Sequence, residues 1–509
     1  MTIRLRHLLI LLVVATSLVS CFKDDTTLGT GAISEILIDS ASIKEVYNIN
    51  QHDTLTIIPQ FSQTNEEKEV TCLWEIELEP YSHSKEFVYP GKELGTFHCR
   101  LIVENEDGRA FFPFIVHVNT AYEEGLTVLS HDTNGKAMLS FMLTPPDGSK
   151  PTGFMTGDQF SLNNEEPFAD NPRDMVHCSG SLIIACQGSD DGQSPATIYG
   201  INDKTFLLEN MATDPEFTDF KPTILGIPGI EYSGRSYPVL CEGGHTYEYS
   251  TTEGALSKPI KLPHNYAQTS VVYTKNGGYY NVLCWDNELN ALCLIYNGYA
   301  PAYYSCPEYH SNRDSIIIDP KKNIFYGLNQ PQICKMVFVE QAPNLLSTPK
   351  VLVITKDIDK KSGENRYQKT LISADFWETV NGENKLVDGG GYKVCGMGDV
   401  PLTETTPCVA SNTYSKMLFA EGNKIRRWNY ASNTRINAAQ VHQTIGSEDA
   451  IITSMSLSAD QTKTYVAFYE PKQPGLNGSV WIIDTDKGTV LEEYNNVCYK
   501  PVKVIYKKK

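Results

Sequence analysis

Histidines, acids set in turns and a run of aromatic side chains are the residues of this chain whose types could do chemistry. Histidine titrates near neutral pH and ligates metals. His177, His245, His264 and His310 would therefore make a catalytic site if the fold gathered them with carboxylates in one place. Their spacing matches no catalytic signature: the chain holds no His-Glu-x-x-His, no Walker-type phosphate loop and no Gly-x-Ser-x-Gly elbow. Asp357-Ile358-Asp359-Lys360-Lys361-Ser362-Gly363 and Asp484-Thr485-Asp486-Lys487-Gly488 alternate acids as calcium loops do. Each carries lysine inside the loop and lacks the closing bidentate glutamate, so both read as hairpin turns. Asn163-Asn164-Glu165-Glu166 through Asp170 and Asp174 reads as a solvated loop, with calcium coordination as the alternative. Gly389-Gly390-Gly391, Gly396 and Gly398 follow no strand and open no helix, and read as a loop with tight turns. The expectation is no catalytic residue, no metal site and no cofactor.

The aromatic run is the stronger signal. Between Trp285 and His310 lie Tyr296, Tyr299, Tyr303, Tyr304 and Tyr309, broken by Asn297-Gly298 and Pro301. Aromatics on loops stack on sugar rings or grip apolar peptide side chains. Trp285, Tyr299, Tyr303 and Tyr304 are accordingly the candidate ligand-binding residues. The alternative is burial between packed sheets, where aromatic packing is ordinary. Trp377, within Asp375-Phe376-Trp377-Glu378, is a second candidate on a long polar insertion.

Strands must position these groups. From Ile33 to Asn119 the chain alternates apolar and polar residues. Cys72, Trp74, Ile76 and Leu78 share one strand face; Phe97, Cys99, Leu101 and Val103 share another; Phe112, Phe114, Val116 and Val118 share a third. Turn signals fall at Pro90-Gly91 and Asn105-Glu106-Asp107-Gly108. Residues 33–119 are expected to form an immunoglobulin-like sandwich with Trp74 in its core. Gly95-Thr96-Phe97-His98-Cys99 mimics a tyrosine-corner strand with phenylalanine in place of tyrosine. A Cys72–Cys99 bridge, if present, would be cross-strand.

From Tyr122 onward an irregular unit repeats: an apolar strand, a Gly/Asn turn, then a second strand. It is clearest at Val239–Tyr249 and Met417–Tyr430, with looser copies near Val128, Ile183, Leu283, Ile324 and Tyr465, and a degenerate one near Leu371. A period of roughly 40 to 50 residues is that of a propeller blade. Residues 120–509 are expected to form a β-propeller of seven or eight blades, the alternative being a set of unrelated sandwiches. Ile452 to Leu457, Thr464 to Tyr469, Ser479 to Asp484 and Val490 to Tyr494 make the best-preserved unit. Val502 to Tyr506 is a further strand able to close a ring. The fold class is all-β.

Composition restricts partners. The formal net charge is −18, and more negative without Arg4 and Arg6, which argues against nucleic acid, whose phosphates demand a basic face. Hydrophobic residues at 41% suit an ordered globular chain. The 13 cysteines are scattered singly, mostly in apolar runs, with no Cys-x-x-Cys pair. They read as mostly buried thiols rather than a disulfide framework or a zinc site.

The N-terminus carries an address. Arg4 and Arg6 precede an apolar run from Leu8 to Val14, too short to span a bilayer. Leu18-Val19-Ser20-Cys21 resembles the bacterial lipoprotein signal, in which the cysteine is diacylated and becomes the new N-terminus. Lys23-Asp24-Asp25 resembles the signal that sends lipoproteins of the Bacteroidota to the outer face of the outer membrane. The resemblance implies a signal peptide at 1–20 and a lipidated flexible tether at 21–32. A simple secretory signal with a chance cysteine is the alternative.

Taken with Asp53-Thr54-Leu55-Thr56-Ile57-Ile58-Pro59, the Trp74 strand and Tyr122-Glu123-Glu124-Gly125-Leu126-Thr127-Val128-Leu129-Ser130, the chain resembles the PKD-like lipoproteins of the Bacteroidota. That resemblance implies partnership with a SusC-like transporter and a SusD-like lipoprotein, in capturing or admitting a glycan or peptide nutrient. It transfers no catalytic residues. The competing expectation is a surface lyase or hydrolase with its site on a propeller mouth; a purely structural subunit is the third.

Overall fold

In the computed structural model, apolar alternation becomes strand through most of the described residues. The structure describes residues 33–51, 53–145, 149–151, 153–178, 180–214, 220–226, 236–242, 245–257, 260–261, 271–273, 281–288, 290–296, 302–303, 332–340, 350–373, 377–380, 383–386 and 393–508. The described residues are all-β, without an α-helix, and a short 3-10 turn sits at Ile436–Ala438. No helix among them is long and apolar enough to cross a membrane. The chain divides into two units, Met1–Ala121 and Tyr122–Lys509.

The first unit is built on a five-stranded sheet in the order Val46–Asn50, Gly108–Asn119, Gly95–Asn105, Thr71–Ile76, Glu79–Ser82. Val46–Asn50 runs parallel to Gly108–Asn119; the other pairings are antiparallel. Two further pairs, Ile36–Ile38 with Phe61–Gln63 and Thr54–Ile57 with Phe87–Pro90, contribute to the same core. At its centre Trp74 is wholly buried, with ring centroids 5.0 Å from Phe87 and 5.9 Å from Phe114. Its Nε1 donates to the Ser84 carbonyl at 2.8 Å, which satisfies the one polar atom of the indole.

The expected strand faces hold except at Leu78. Glu77 and Leu78 adopt φ of 51° and 69°, the left-handed region, and turn the chain toward Glu79–Ser82. Leu78 thereby leaves the core face and is 75% exposed. Register excludes the Cys72–Cys99 bridge. Cys72 lies opposite Val103 and Cys99 opposite Ile76, four residues out of step. At ~3.4 Å per residue this is about 14 Å along the strands, twice the ~7 Å limit of a disulfide. Both are free and buried.

The second unit is a series of antiparallel meanders. Pro172–Cys178, Ser181–Cys186, Thr197–Asn202 and Leu208–Ala212 form one sheet. Pro222–Leu225, Ser236–Cys241, His245–Ser250 and Ala255–Leu256 form the next, with Ile260–Lys261 also pairing His245–Ser250. Val271–Tyr273, Asn281–Asp286, Ala291–Tyr296 and Ala302–Tyr303 follow. Two meanders then share one eight-stranded sheet. Gln332–Glu340, Lys350–Ile358, Asn365–Ser373 and Lys393–Met397 are joined to Cys408–Ser411, Lys416–Glu421, Lys424–Asn429 and Gln440–Thr444. The junction is a short parallel pairing of Val339 with Ala410 and Glu340 with Ser411. The region around Leu371, expected as a degenerate unit, is the third strand of the first of these. Gly396, expected in a loop, lies in a strand, where a Cβ would meet Ile436 Cγ2 at 2.7 Å.

The last meander, Ile451–Leu457, Lys463–Tyr469, Gly478–Asp484 and Val490–Cys498, falls where the repeat placed it. Pro501–Lys507 then pairs antiparallel with Gly125–His131, whose other neighbour is Ala137–Leu143. First strands of successive meanders pack side by side: Pro501–Lys507 against Ile451–Leu457 and Pro172–Cys178, and Pro172–Cys178 against Pro222–Leu225. Meanders radiating from adjacent inner strands define a β-propeller. Its cores lie between neighbouring sheets. Leu126, Val128, Met142 and Val504 pack on Tyr465, Ala467, Val480 and Ile482, sealing the first meander to the last.

Candidate functional site

Among the described residues, Trp285 and Tyr303 share one sheet, while His177, His245 and Trp377 lie in three others. Cys21, Lys23, Asp24, Asp25, His264, Tyr299, Tyr304 and His310 lie outside the described residues. Tyr303 sits on Ala302–Tyr303, paired with Cys293. His245 begins the strand His245–Ser250 and Trp377 begins Trp377–Val380, which pairs with Glu383–Leu386 inside the polar insertion. Trp285 is strand-borne, opposite Leu292, and wholly buried. Its indole therefore has no exposed face on which a surface ligand could stack.

The acidic turns are tied up by protein groups. Asp484 Oδ1 accepts the N–H of Asp486 and Lys487 at 2.9 and 2.8 Å, and Asp486 pairs with Lys416. Asp357 takes a bidentate bond from Arg366, at 3.0 Å through Nε and 2.5 Å through Nη2. Asp359 Oδ2 accepts from the Lys361 and Ser362 amides at 3.2 and 3.0 Å. Both are hairpin turns stabilised by Asx-type bonds. In the 163–174 stretch, Asn163 donates to the Tyr122 hydroxyl and the Gln159 carbonyl, and Asn164 to the Phe160 and Phe206 carbonyls. No three His, Cys, Asp or Glu among the described residues group to hold a metal ion.

Two ionic clusters on the inner strands were not foreseen. Asp174 Oδ2 accepts the Leu225 N–H at 3.0 Å, while Oδ1 meets Lys503 Nζ at 2.9 Å. One buried carboxylate thus joins Pro501–Lys507, Pro172–Cys178 and Pro222–Leu225. Farther along two of those strands, His177 Nε2 lies 2.8 Å from Asp203 Oδ2, with side chains 16% and 9% exposed. The Asp203 N–H is anchored on the Gly180 carbonyl. Burial pushes the Asp203 carboxyl up, but the His177 hydrogen bond and the Lys507 charge outweigh it and hold the group below its usual value. Lys507 is itself wholly buried. Burial lowers its ammonium pKa against the opposing pull of Asp203, Glu123 and Glu124. Its Nζ donates to the Glu123 carbonyl at 2.5 Å and sits 5.9 Å from the Phe141 ring centroid.

A carboxylate-held imidazole is the base-and-orienter half of a catalytic constellation. Here the pair lies within the second meander, and Lys507 of the strand Pro501–Lys507 acts on Asp203 through its charge. The sequence marked His177 among four histidines, but Asp203 and Lys507 lie 26 and 330 positions away. The one local signal was a lysine ending the apolar strand Pro501–Lys507.

No protein-family profile and no curated protein matches the chain. Solved structures do. A quinonprotein alcohol dehydrogenase-like protein from Bacteroides thetaiotaomicron is 16% identical, with 94% of this chain and 100% of that one covered and a TM-score of 0.44. A putative 6-phosphogluconolactonase from Bacteroides uniformis is 10% identical, covers 76% and 99%, and has a TM-score of 0.40. The β-propeller domain of Cps50 (Swd1) from Myceliophteria thermophila is 10% identical, covers 65% and 91%, and has a TM-score of 0.37. At these values no activity is carried across to this chain.

Proposed function

We propose that this protein is a surface-exposed outer-membrane lipoprotein of the PKD-like type. It is a non-catalytic accessory subunit that binds a glycan or peptide nutrient, or hands it over, beside a SusC/SusD-type TonB-dependent importer. In this reading Cys21 carries the acyl chains, Lys23-Asp24-Asp25 directs surface export, an immunoglobulin-like unit acts as spacer, and a propeller of seven or eight blades presents the binding face. The observation that carries it is the joining, in one chain, of the Leu18–Cys21 signal to a large propeller unit. Anchoring raises effective concentration at the transporter, so modest intrinsic affinity suffices. Seven blades are supported by the meander sheets of the described residues, with the eight-stranded sheet taken as two blades and Pro501–Lys507 as the inner strand of the first. The immunoglobulin-like assignment is supported by the Trp74 core between the sheet and the two strand pairs.

Mild-detergent purification from native outer membranes tests the reading: a stoichiometric SusC/SusD-like pair should come with the protein. Cys21→Ala should move it from the membrane pellet to the soluble fraction, read by fractionation and immunoblot. The His177–Asp203 pair favours a second reading, a polymer-degrading enzyme. A solitary protein that degrades polymer, and loses that activity in both His177→Ala and Asp203→Asn, would replace the first reading with the second.

A further inference from the structure

Cys284 and Cys293 fall directly opposite each other where the antiparallel strands Asn281–Asp286 and Ala291–Tyr296 pair, flanked by Leu283 opposite Leu294 and Trp285 opposite Leu292. Directly opposed residues of an antiparallel pair share a sheet face. Their Cα atoms are about 4.5 Å apart in a non-hydrogen-bonded pair and about 5.5 Å in a hydrogen-bonded one. Either separation lies within the roughly 4.4–6.8 Å that a disulfide spans. Other strand cysteines face different residues: Cys72 faces Val103, Cys178 faces Ser181, Cys408 faces Phe419 and Cys498 faces Gly478.

The two strands also need something to fix their alignment. Val282-Leu283-Cys284-Trp285 and Ala291-Leu292-Cys293-Leu294-Ile295 are continuous apolar runs. Without polar alternation, a one-residue slip costs no burial contrast, so the hydrophobic pattern specifies register weakly. A covalent bond between opposed residues specifies it outright.

We propose that Cys284 and Cys293 are joined by a cross-strand disulfide in the mature protein. Each thiol loses a proton and together they lose two electrons. An incoming disulfide, from a protein thiol oxidant of the envelope or from oxidised glutathione, accepts these and leaves as two thiols. The bond rests on the proposed export, because oxidising compartments are where such bonds persist. Cys293 also pairs with Tyr303, so the row Cys284, Cys293, Tyr303 crosses three strands. The bond braces the sheet that carries Trp285 and Tyr303, two of the aromatic candidates.

The test is a disulfide map of the protein from native cells lysed in denaturant with N-ethylmaleimide. Chymotryptic cleavage after Trp285 and Tyr296 separates Cys284, Cys293 and Cys306. The expected result is a linked pair of peptides containing Cys284 and Cys293 that separates on reduction. Maleimide on both cysteines, or a bond from either to Cys306 or another cysteine, overturns the proposal. Reduced, folded protein exposed to oxidised glutathione then locates the fault. Formation of the Cys284–Cys293 bond there condemns the export premise, and its absence condemns the pairing.

Discussion

At the scale of single residues, the informative groups are buried ions with defined partners. Asp203 shows how such a group writes itself into stability. Its carboxyl lies below its ordinary 3.8 in the folded protein, with His177 and Lys507 outweighing burial. The charged form is therefore favoured by folding. Its contribution is fully present above the ordinary value and is lost as pH falls through the depressed folded one. The expected outcome is that wild type loses denaturant resistance more steeply than Asp203→Asn below about pH 4. Parallel urea titrations at stepped acid pH measure this; equal slopes would remove Asp203 from the account. None of this was legible in the residues themselves. Asp203, His177 and Lys507 become neighbours only when strands far apart in the chain are laid side by side, and no local spacing records that. Trp285, wholly buried, shows a related limit: an aromatic type reports that a ring will be packed, and burial decides by what.

Among elements, the strands were the most legible part, because period-2 alternation and Gly/Asn turns are local. Lys416–Glu421 and Lys424–Asn429 meet across Gly422-Asn423, with Gly422 at φ 60°, as the repeat implied. The last meander also fell where it was read. Two things escaped. The parallel contact of Val339 with Ala410 joins residues 71 positions apart and leaves no pattern in either strand. Leu78 continued an apolar alternation that the backbone breaks at Glu77. The element with the largest expected effect is Pro501–Lys507. Deleting residues 501–509 strips Gly125–His131 of a strand partner, removes Val504 from a core and cancels the Lys503–Asp174 tie. Because the Lys503 side chain is 37% exposed, that ion pair is screened and its loss costs only about 1 kcal/mol; the lost strand and the opened core carry the effect. The truncated protein should lose its cooperative thermal transition and become protease-sensitive beyond Tyr122, while residues 33–121 persist as a resistant fragment. A full-length-like melting curve would refute the closure.

For the whole molecule, the cysteines make a common prediction. Of the nine cysteines whose side chains are described, seven are buried, as their apolar settings implied. Burial pushes the thiols of Cys99, Cys334 and Cys395 from the ordinary 9.0 to about 12. It pushes the phenols of Tyr199 and Tyr430 from 10.0 to about 12. Raised folded values mean a contribution that is complete below the ordinary pKa and is lost as pH rises through the folded one. Urea midpoints should hold level to about pH 9 and then fall continuously toward pH 12. A midpoint flat to pH 11 would contradict the burial.

The pairing of Pro501–Lys507 with Gly125–His131 also sets an order of events. Synthesis proceeds from the N-terminus at ~5–20 residues per second, so Gly125–His131 is made roughly 20 seconds or more before its partner at any rate in that range. During that interval its edge is open, and the ring has no way to shut. A chain carried through a narrow translocation channel is in the same position, because no closed ring forms on the far side until Lys507 has passed. The waiting edge is a hazard for mispairing, and it is also what keeps the unit threadable to the last strand.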